Sequence, residues 1–308
     1  MAYGASNVIL TAADTAGFVP EIWSDEIFAS KKANIVVASL VRRLNVKGKK
    51  GNLVHLPIPV RGAASSKATN TIVSTIAETG SEITISLTAH WEYSRLIEDP
   101  VTIQGTASLR KFYTDDAGYA LAKATDTVIL NAARNLNGGN GLLEFTGAVI
   151  AGDGTTAFVD ASGNANATAI TDAGIRRAIQ LLDDNDMPMN DRALVLPPVG
   201  RRVMMGLPRF TEQAFLGTGD PLRNGKLGMV YGMAVHSSTN TQTPSLATTV
   251  RVGALLHRDA LVLAEVLGPR VQTQYKQEYL ATLLTADTIF GTGEVYDKGG
   301  LLLAMPST

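Results

Sequence analysis

Apolar and polar positions alternate strictly from Glu82 to Leu87. Ile83, Ile85 and Leu87 fall on one side, and Glu82, Thr84 and Ser86 on the other. A period of two predicts a half-buried strand. Upstream, Leu53-Val54-His55-Leu56-Pro57-Ile58-Pro59 also reads as a strand, and its prolines, which cannot donate to a ladder, predict an edge position. Between the two, Val60 to Gly80 is Ala, Ser, Thr, Asn and Gly with few large residues, so it can bury little. Val60 to His90 therefore reads as a long, protruding, two-stranded loop. A lone hairpin is marginal in water, and this one is expected to lie on a neighbouring subunit.

Helical spacing marks other stretches. From Ser108 to Asn135, Ala117, Leu121, Ala124, Val128 and Ala132 recur three or four apart, with Asp115, Asp116, Lys123, Asp126 and Arg134 assigned to the polar side. The spacing predicts one long helix, stopped by Asn137-Gly138-Gly139. Thr171-Asp172 is expected to cap a second helix, with Ile175, Ala178, Ile179 and Leu182 as its buried stripe and Met187-Pro188 beyond its end. Ile35 to Leu44 is read as helical, with Arg42-Arg43 suited to a helix C-terminus. Pro20 suits the first turn of an earlier helix, and residues 1–19 read as an extended arm. Gly138 to Ala169 is read as loops and a weak hairpin.

From Asp191 to Ser238 the chain is strongly patterned but chemically bland. A short apolar strand, Ala193 to Leu196, meets Pro197-Pro198 and becomes a short helix. An irregular loop follows, and then a strand from Val230 to His236 interrupted by Gly232. Further strands are expected at Thr249–Leu256, Leu261–Leu267, Arg270–Gln274, Leu280–Phe290 and Gly293–Ala304.

Composition narrows the class. The 308 residues allow one large domain or two, and 45% hydrophobic with 18% charged residues is globular. A net charge of −1 argues against wholesale nucleic-acid binding and does little to oppose self-association. Without cysteine there is no disulfide, thiolate metal site or cysteine nucleophile. The first residues lack a basic start followed by an apolar core. No apolar run approaches the ~20 residues of a membrane span. A cytoplasmic origin is expected.

Candidate chemistry is sparse. His55, His90, His236 and His257 form no close-spaced metal pair. Gly152-Asp153-Gly154-Thr155-Thr156 and Gly217-Thr218-Gly219-Asp220-Pro221 read as turns, because neither has the ending of a phosphate loop. Asp183-Asp184-Asn185-Asp186 is the best metal-like cluster, but it lacks the glycine and distal glutamate of a calcium loop and reads as a solvated helix end. Glu92, Glu98 and Asp99 could form an acid/base pair only if they converged. Lys47 to Lys50 reads as a basic turn. Arg176-Arg177 and Arg201-Arg202 are expected to pair with acids on a neighbour more readily than with nucleic acid. No catalytic, cofactor-binding or metal residue is assigned, and no cofactor is expected.

The order of these elements resembles the major capsid proteins of tailed bacteriophages, a fold shared with encapsulins. FVPEIWSDEIF is similar to that family's N-terminal segment, and KGKKGNLVHLPIPVRG to the strand leading into its extended loop. ITISLTAHWEYSRLIEDP resembles the loop's return strand, and FYTDDAGYALAKATDTVIL the spine helix. DRALVLPPVGRRVMMGL and KLGMVYGMAVHSS resemble the axial domain's strand–helix and glycine-interrupted strand. ADTIFGTGEVYDKGGLLLAMP resembles the terminal strands.

The resemblance implies an α+β fold divided as follows: arm and helix at 1–50, strand and extended loop at 51–98, peripheral domain with spine helix at 99–137, axial domain at 138–269, and returning strands at 270–308. It implies a non-enzymatic subunit that assembles, in a host cytoplasm, into the hexamers and pentamers of an icosahedral virion shell around double-stranded DNA. The loop Thr211 to Asn224 is expected to line the capsomer axis. A separate scaffolding protein is expected, since no long charged helix precedes Pro20. A portal, possible decoration proteins and weak contact with packaged DNA are implied as well. Lys67 lies in the loop where some relatives crosslink, with no chemistry assigned to it here. The rival readings are an encapsulin compartment, an α/β enzyme built on scattered acids such as Glu92 and Asp184, and a tail or decoration component.

Overall fold

The computed structural model describes residues 36–58, 62–73, 75, 80–100, 109–137, 149–207 and 228–307. The expected arm, the helix after Pro20 and the loop Thr211–Asn224 lie outside them. Two sheets and a long helix organise the described residues, an α+β arrangement.

The first sheet has four strands, in the order β1 (Arg42–Asn45), β10 (Leu261–Lys276), β11 (Ala281–Glu294) and β4 (Ala89–Glu98). The long helix α2 (Leu109–Ala132), extended by a 3₁₀ turn over Ala133–Asn135, lies across one face of it. Ala117 and Leu121 pack on Ala286 and Tyr93. Further along, Ile129, Leu130, Ala133 and Leu136 enter the largest core, with Leu263 and Phe290. The expected stripe is therefore only the first half of the story. The distal half of α2 is enclosed on several sides, which is why its apolar residues do not form one clean face.

The second sheet has six strands. Its order is β5 (Val149–Ala151), β12 (Gly300–Pro306), β9 (Val250–His257), β6 (Arg192–Leu196), β8 (Met233–Ser237) and β7 (Met229–Val230). Both faces are covered. Val195, Val252, Ala254 and Leu302 face the core shared with α2. Leu194, Leu196, Leu255, Leu301 and Leu303 face α3 (Asp172–Asp183) and α4 (Pro198–Met205) through Ile175, Ala178, Leu182 and Met204. A strand covered on both faces reads as a continuous apolar run, and Ala193 to Leu196 does so. The Thr171 cap is present, its hydroxyl accepting the Gly174 N–H at 3.0 Å.

Four expectations change, the first being that Gly293–Ala304 is not one strand but the end of β11, a 3₁₀ turn over Asp297–Gly299 and most of β12. Ile35–Leu44 yields only a one-turn helix, α1 (Val37–Leu40). Arg42 and Arg43 belong to β1, which runs parallel to β10 from Arg42↔Val262 to Asn45↔Glu265. Pairing with a buried strand overrides the local spacing there. Leu261–Leu267 and Arg270–Gln274 are one strand, β10. Register shifts between Glu265 and Leu267 and between Leu267 and Arg270 absorb Pro269, which has no N–H to give. Gly232 does not interrupt a strand but reverses it: Tyr231 (φ 49°) and Gly232 (φ 78°) form the two-residue turn of the hairpin β7–β8.

Candidate assembly elements

The loop predicted from alternation is a hairpin of β2 (Leu53–Ile58) and β3 (Ser81–Ser86), paired from Leu53↔Ser86 to Ile58↔Ser81, and this paired base lies on the chain's own four-stranded sheet and not, as expected, on a neighbouring subunit. One face is apolar. Val54, Leu56, Ile85 and Leu87 pack with Leu44, Val46, Val262, Ala264 and Val266 on the face of the four-stranded sheet away from α2. On its other face His55 Nδ1 is 3.3 Å from Glu82.

The seat depends on two glycines of β11. A Cβ on Gly291 would fall 2.2 Å from the Ser86 carbonyl oxygen, and one on Gly293 would fall 2.8 Å from Ile85 Cγ1. The alternation Gly291-Thr292-Gly293 was the signal available in the sequence. Small residues two apart in a strand mark a surface that another backbone approaches.

Residues 62–73 are exposed throughout, and Ile72 is 95% exposed. Lys67 is exposed among them. The Thr71 hydroxyl donates to the Ala68 carbonyl at 2.7 Å, a local turn bond only.

A second element ties α1 to the long helix. Asp126, assigned to the polar side of α2, is fully buried. Its carboxylate accepts the backbone N–H of Val36 at 2.9 Å, Val37 at 3.2 Å and Ala38 at 2.9 Å, all at the start of α1. These donors have no partner within so short a helix. Nothing in the spacing of α2 foretold this, because the donors lie about ninety residues away in sequence.

The candidate chemical residues do not converge. His90 Nε2 is 3.4 Å from Asp287, which Arg270 grips through both oxygens at 2.7 and 2.9 Å. The Arg270 hydrogen bonds hold the Asp287 carboxyl below its usual range, with His90 adding to the effect against the opposing cost of burial. Buried His257 accepts the Asp259 N–H, and His236 lies in β8 opposite Val195. Asp183 is 2.7 Å from Arg192, whose guanidinium also donates to the Pro188 and Met187 carbonyls. Asn185 donates to the Leu181 carbonyl. The metal-like cluster is thus the capped end of α3.

Glu92 and Glu98 stand about 20 Å apart along the same strand. Asp99 accepts the Tyr275 hydroxyl at 2.7 Å. Gly152–Thr156 is a turn pressed on α3, where a Cβ on Gly174 would meet the Gly152 carbonyl oxygen at 2.1 Å. Asp153 accepts the Thr155 and Thr156 N–H groups, which lower its carboxyl below the usual range. Arg176 pairs with Asp172 at 3.0 Å, and Arg201 and Arg202 lie on α4. The 217–221 turn is outside the described residues. Among the described residues no group of three or more His, Asp or Glu is placed to hold a metal, and no helix is long and apolar enough to cross a membrane.

A family model described as "Phage capsid protein" matches residues 41–302. Among solved structures, the chain is similar to one from Mycobacterium phage Che8, at 21% identity and TM-score 0.73, covering 93% of this chain and 97% of that one. The capsid of cyanophage P-SCSP1u matches at 18% identity and TM-score 0.72, covering 96% and 95%. The acid-stable capsid of Helicobacter pylori bacteriophage KHP30 matches at 12% identity and TM-score 0.71, covering 99% and 100%. No curated protein matches significantly.

Proposed function

The chain belongs to the phage capsid protein family, and from that premise we propose that it is the major capsid subunit, repeated in hexamers and pentamers to close an icosahedral shell around a phage's double-stranded DNA. The observation that carries this reading is the β2–β3 hairpin. Its base is seated by Gly291 and Gly293, while residues 62–73 beyond it are exposed at every described position. A segment that its own chain does not bury gains its burial from a neighbouring copy, and a closed shell supplies one at every position. Pro57, in the otherwise free strand β2, discourages edge pairing before assembly.

In this reading the four-stranded sheet with α2 is the peripheral unit, and the six-stranded sheet with α3 and α4 is the axial unit. The subunit works without catalysis. The groups that could have formed a site, such as Asp183 and Asp287, are instead held by Arg192 and Arg270. Scaffolding and portal proteins, decoration proteins and loosely held DNA are the partners we assign to it.

The test is electron microscopy of the purified chain, alone and with a co-expressed scaffolding protein. Closed shells of uniform size are expected, and shell yield should fall at least tenfold when residues 62–73 are replaced by a short glycine linker. Tubes, trimers or a stable monomer would overturn the proposal.

A further inference from the structure

A cleft of about 590 Å³ opens where the parallel strands β6 and β8 end, lined by Pro198, Arg201, Arg202, Met205, Ser237 and Thr239. Among the described lining residues are two cations and no acid. Arg202 has no hydrogen-bond or ion-pair partner among the described residues. At the opposite end of β6, the loop from α3 carries Asp184, Asp186 and Asp191, all exposed. Two cations stand beside them: Arg192, whose guanidinium is taken up by Asp183, and Arg258, whose backbone N–H donates to the Asp191 carbonyl. Five residues of strand, about 17 Å, separate the two ends. The six-stranded unit is thus charge-polarised along β6.

We propose that this cleft receives the acidic loop 184–191 of a second copy, so that adjacent subunits join head to tail. The inference rests on the shell reading above. A ring needs two different, complementary patches on one subunit, and both lie on the unit assigned to the axis. A carboxylate side chain suits the cleft, since Pro198 and Met205 offer apolar wall for its stem and the Arg202 guanidinium can bind its oxygens. A phosphodiester backbone suits it less well: two arginines give little counterion release, and the chain as a whole is −1.

The test is a charge swap in the full-length chain. Arg201→Glu/Arg202→Glu and Asp184→Arg/Asp186→Arg should each cut shell yield at least tenfold, and the four changes together should restore it to within threefold of wild type. A milder pair, Arg201→Gln/Arg202→Gln, guards against misfolding. It should melt within about 2 °C of wild type while lowering yield and steepening the loss of shells with salt. Unchanged yield in the glutamine pair, or no recovery in the fourfold variant while each double variant is folded, overturns the contact. Normal shells in the glutamine pair with weakened binding of a 20-base-pair DNA duplex would make phosphate the occupant and overturn it too. If wild type forms no shell at all, the shell reading fails, and this contact falls with it. A failure confined to the swap touches only the contact.

Discussion

Asp126, fully buried in the middle of α2, accepts the backbone N–H of Val37 at 3.2 Å. With its bonds to Val36 and Ala38, this one carboxylate ties the start of α1 to the long helix. Removing it would orphan three backbone donors. Asp126→Ala should destabilise the subunit by about 2 kcal/mol, measured by denaturant unfolding. Asp126→Asn keeps one acceptor oxygen and should lose less than half as much. Equal stability in all three proteins would show that the cap carries no weight.

The glycine seat makes a sharper prediction. At Gly291 the obstacle is backbone, the Ser86 carbonyl oxygen, so the hairpin must move to admit a methyl group. Gly291→Ala should cost roughly 1–3 kcal/mol and speed proteolysis within residues 62–73. Thr292→Ala, one residue away on the opposite side of the strand, should leave cleavage rates close to wild type.

Acid should find the Arg270–Asp287 pair. Asp287 has its folded pKa depressed, chiefly by the Arg270 hydrogen bonds. Its contribution is therefore present above the unfolded value of about 3.9 and is lost as pH falls through the still lower folded one. Asp287→Asn should melt on the order of 2 °C below wild type at pH 7, a small gap because the exposed guanidinium is screened. The gap should shrink below pH 4. A gap that held constant to pH 3 would mean the effect is packing and not charge.

Leu280 offers a stabilising change. It is 64% exposed at the turn between β10 and β11 and holds φ at 45°, where a branched side chain is strained. Leu280→Asn should raise stability by about 0.5–1 kcal/mol, read as a higher melting temperature of the unassembled subunit.

These residues differ in how far the chain announces them. The β2–β3 pair was legible because alternation from Glu82 to Leu87 and the prolines of β2 are local facts. So was α2, whose spacing persists over many turns, and the Thr171 cap, whose hydroxyl acts three residues away. Arg42-Arg43 misled because two cations after an apolar run suit a helix end, and only the edge of β10 makes them a strand. Asp126 misled for the same reason: a carboxylate in a helix reads as solvated until distant N–H groups arrive to meet it. Gly291 and Gly293 stood in view, yet what they accommodate, Ser86 and Ile85, lies about two hundred residues earlier in the chain.

By itself the sequence determined the class of the molecule. Its periods set the strands and helices, its lack of cysteine removed whole chemistries, and its small-residue loop can bury little of itself. Those are properties of local spacing and composition, which do not depend on where the chain returns. Only the tertiary structure decided which strands pair, that the six-stranded sheet is covered on both faces, and which charges are consumed. Asp183 meets Arg192, Asp287 meets Arg270, and Asp126 meets three backbone donors. Such choices rest on the cost of burying an unpaired polar group, and that cost is set only once the core has closed.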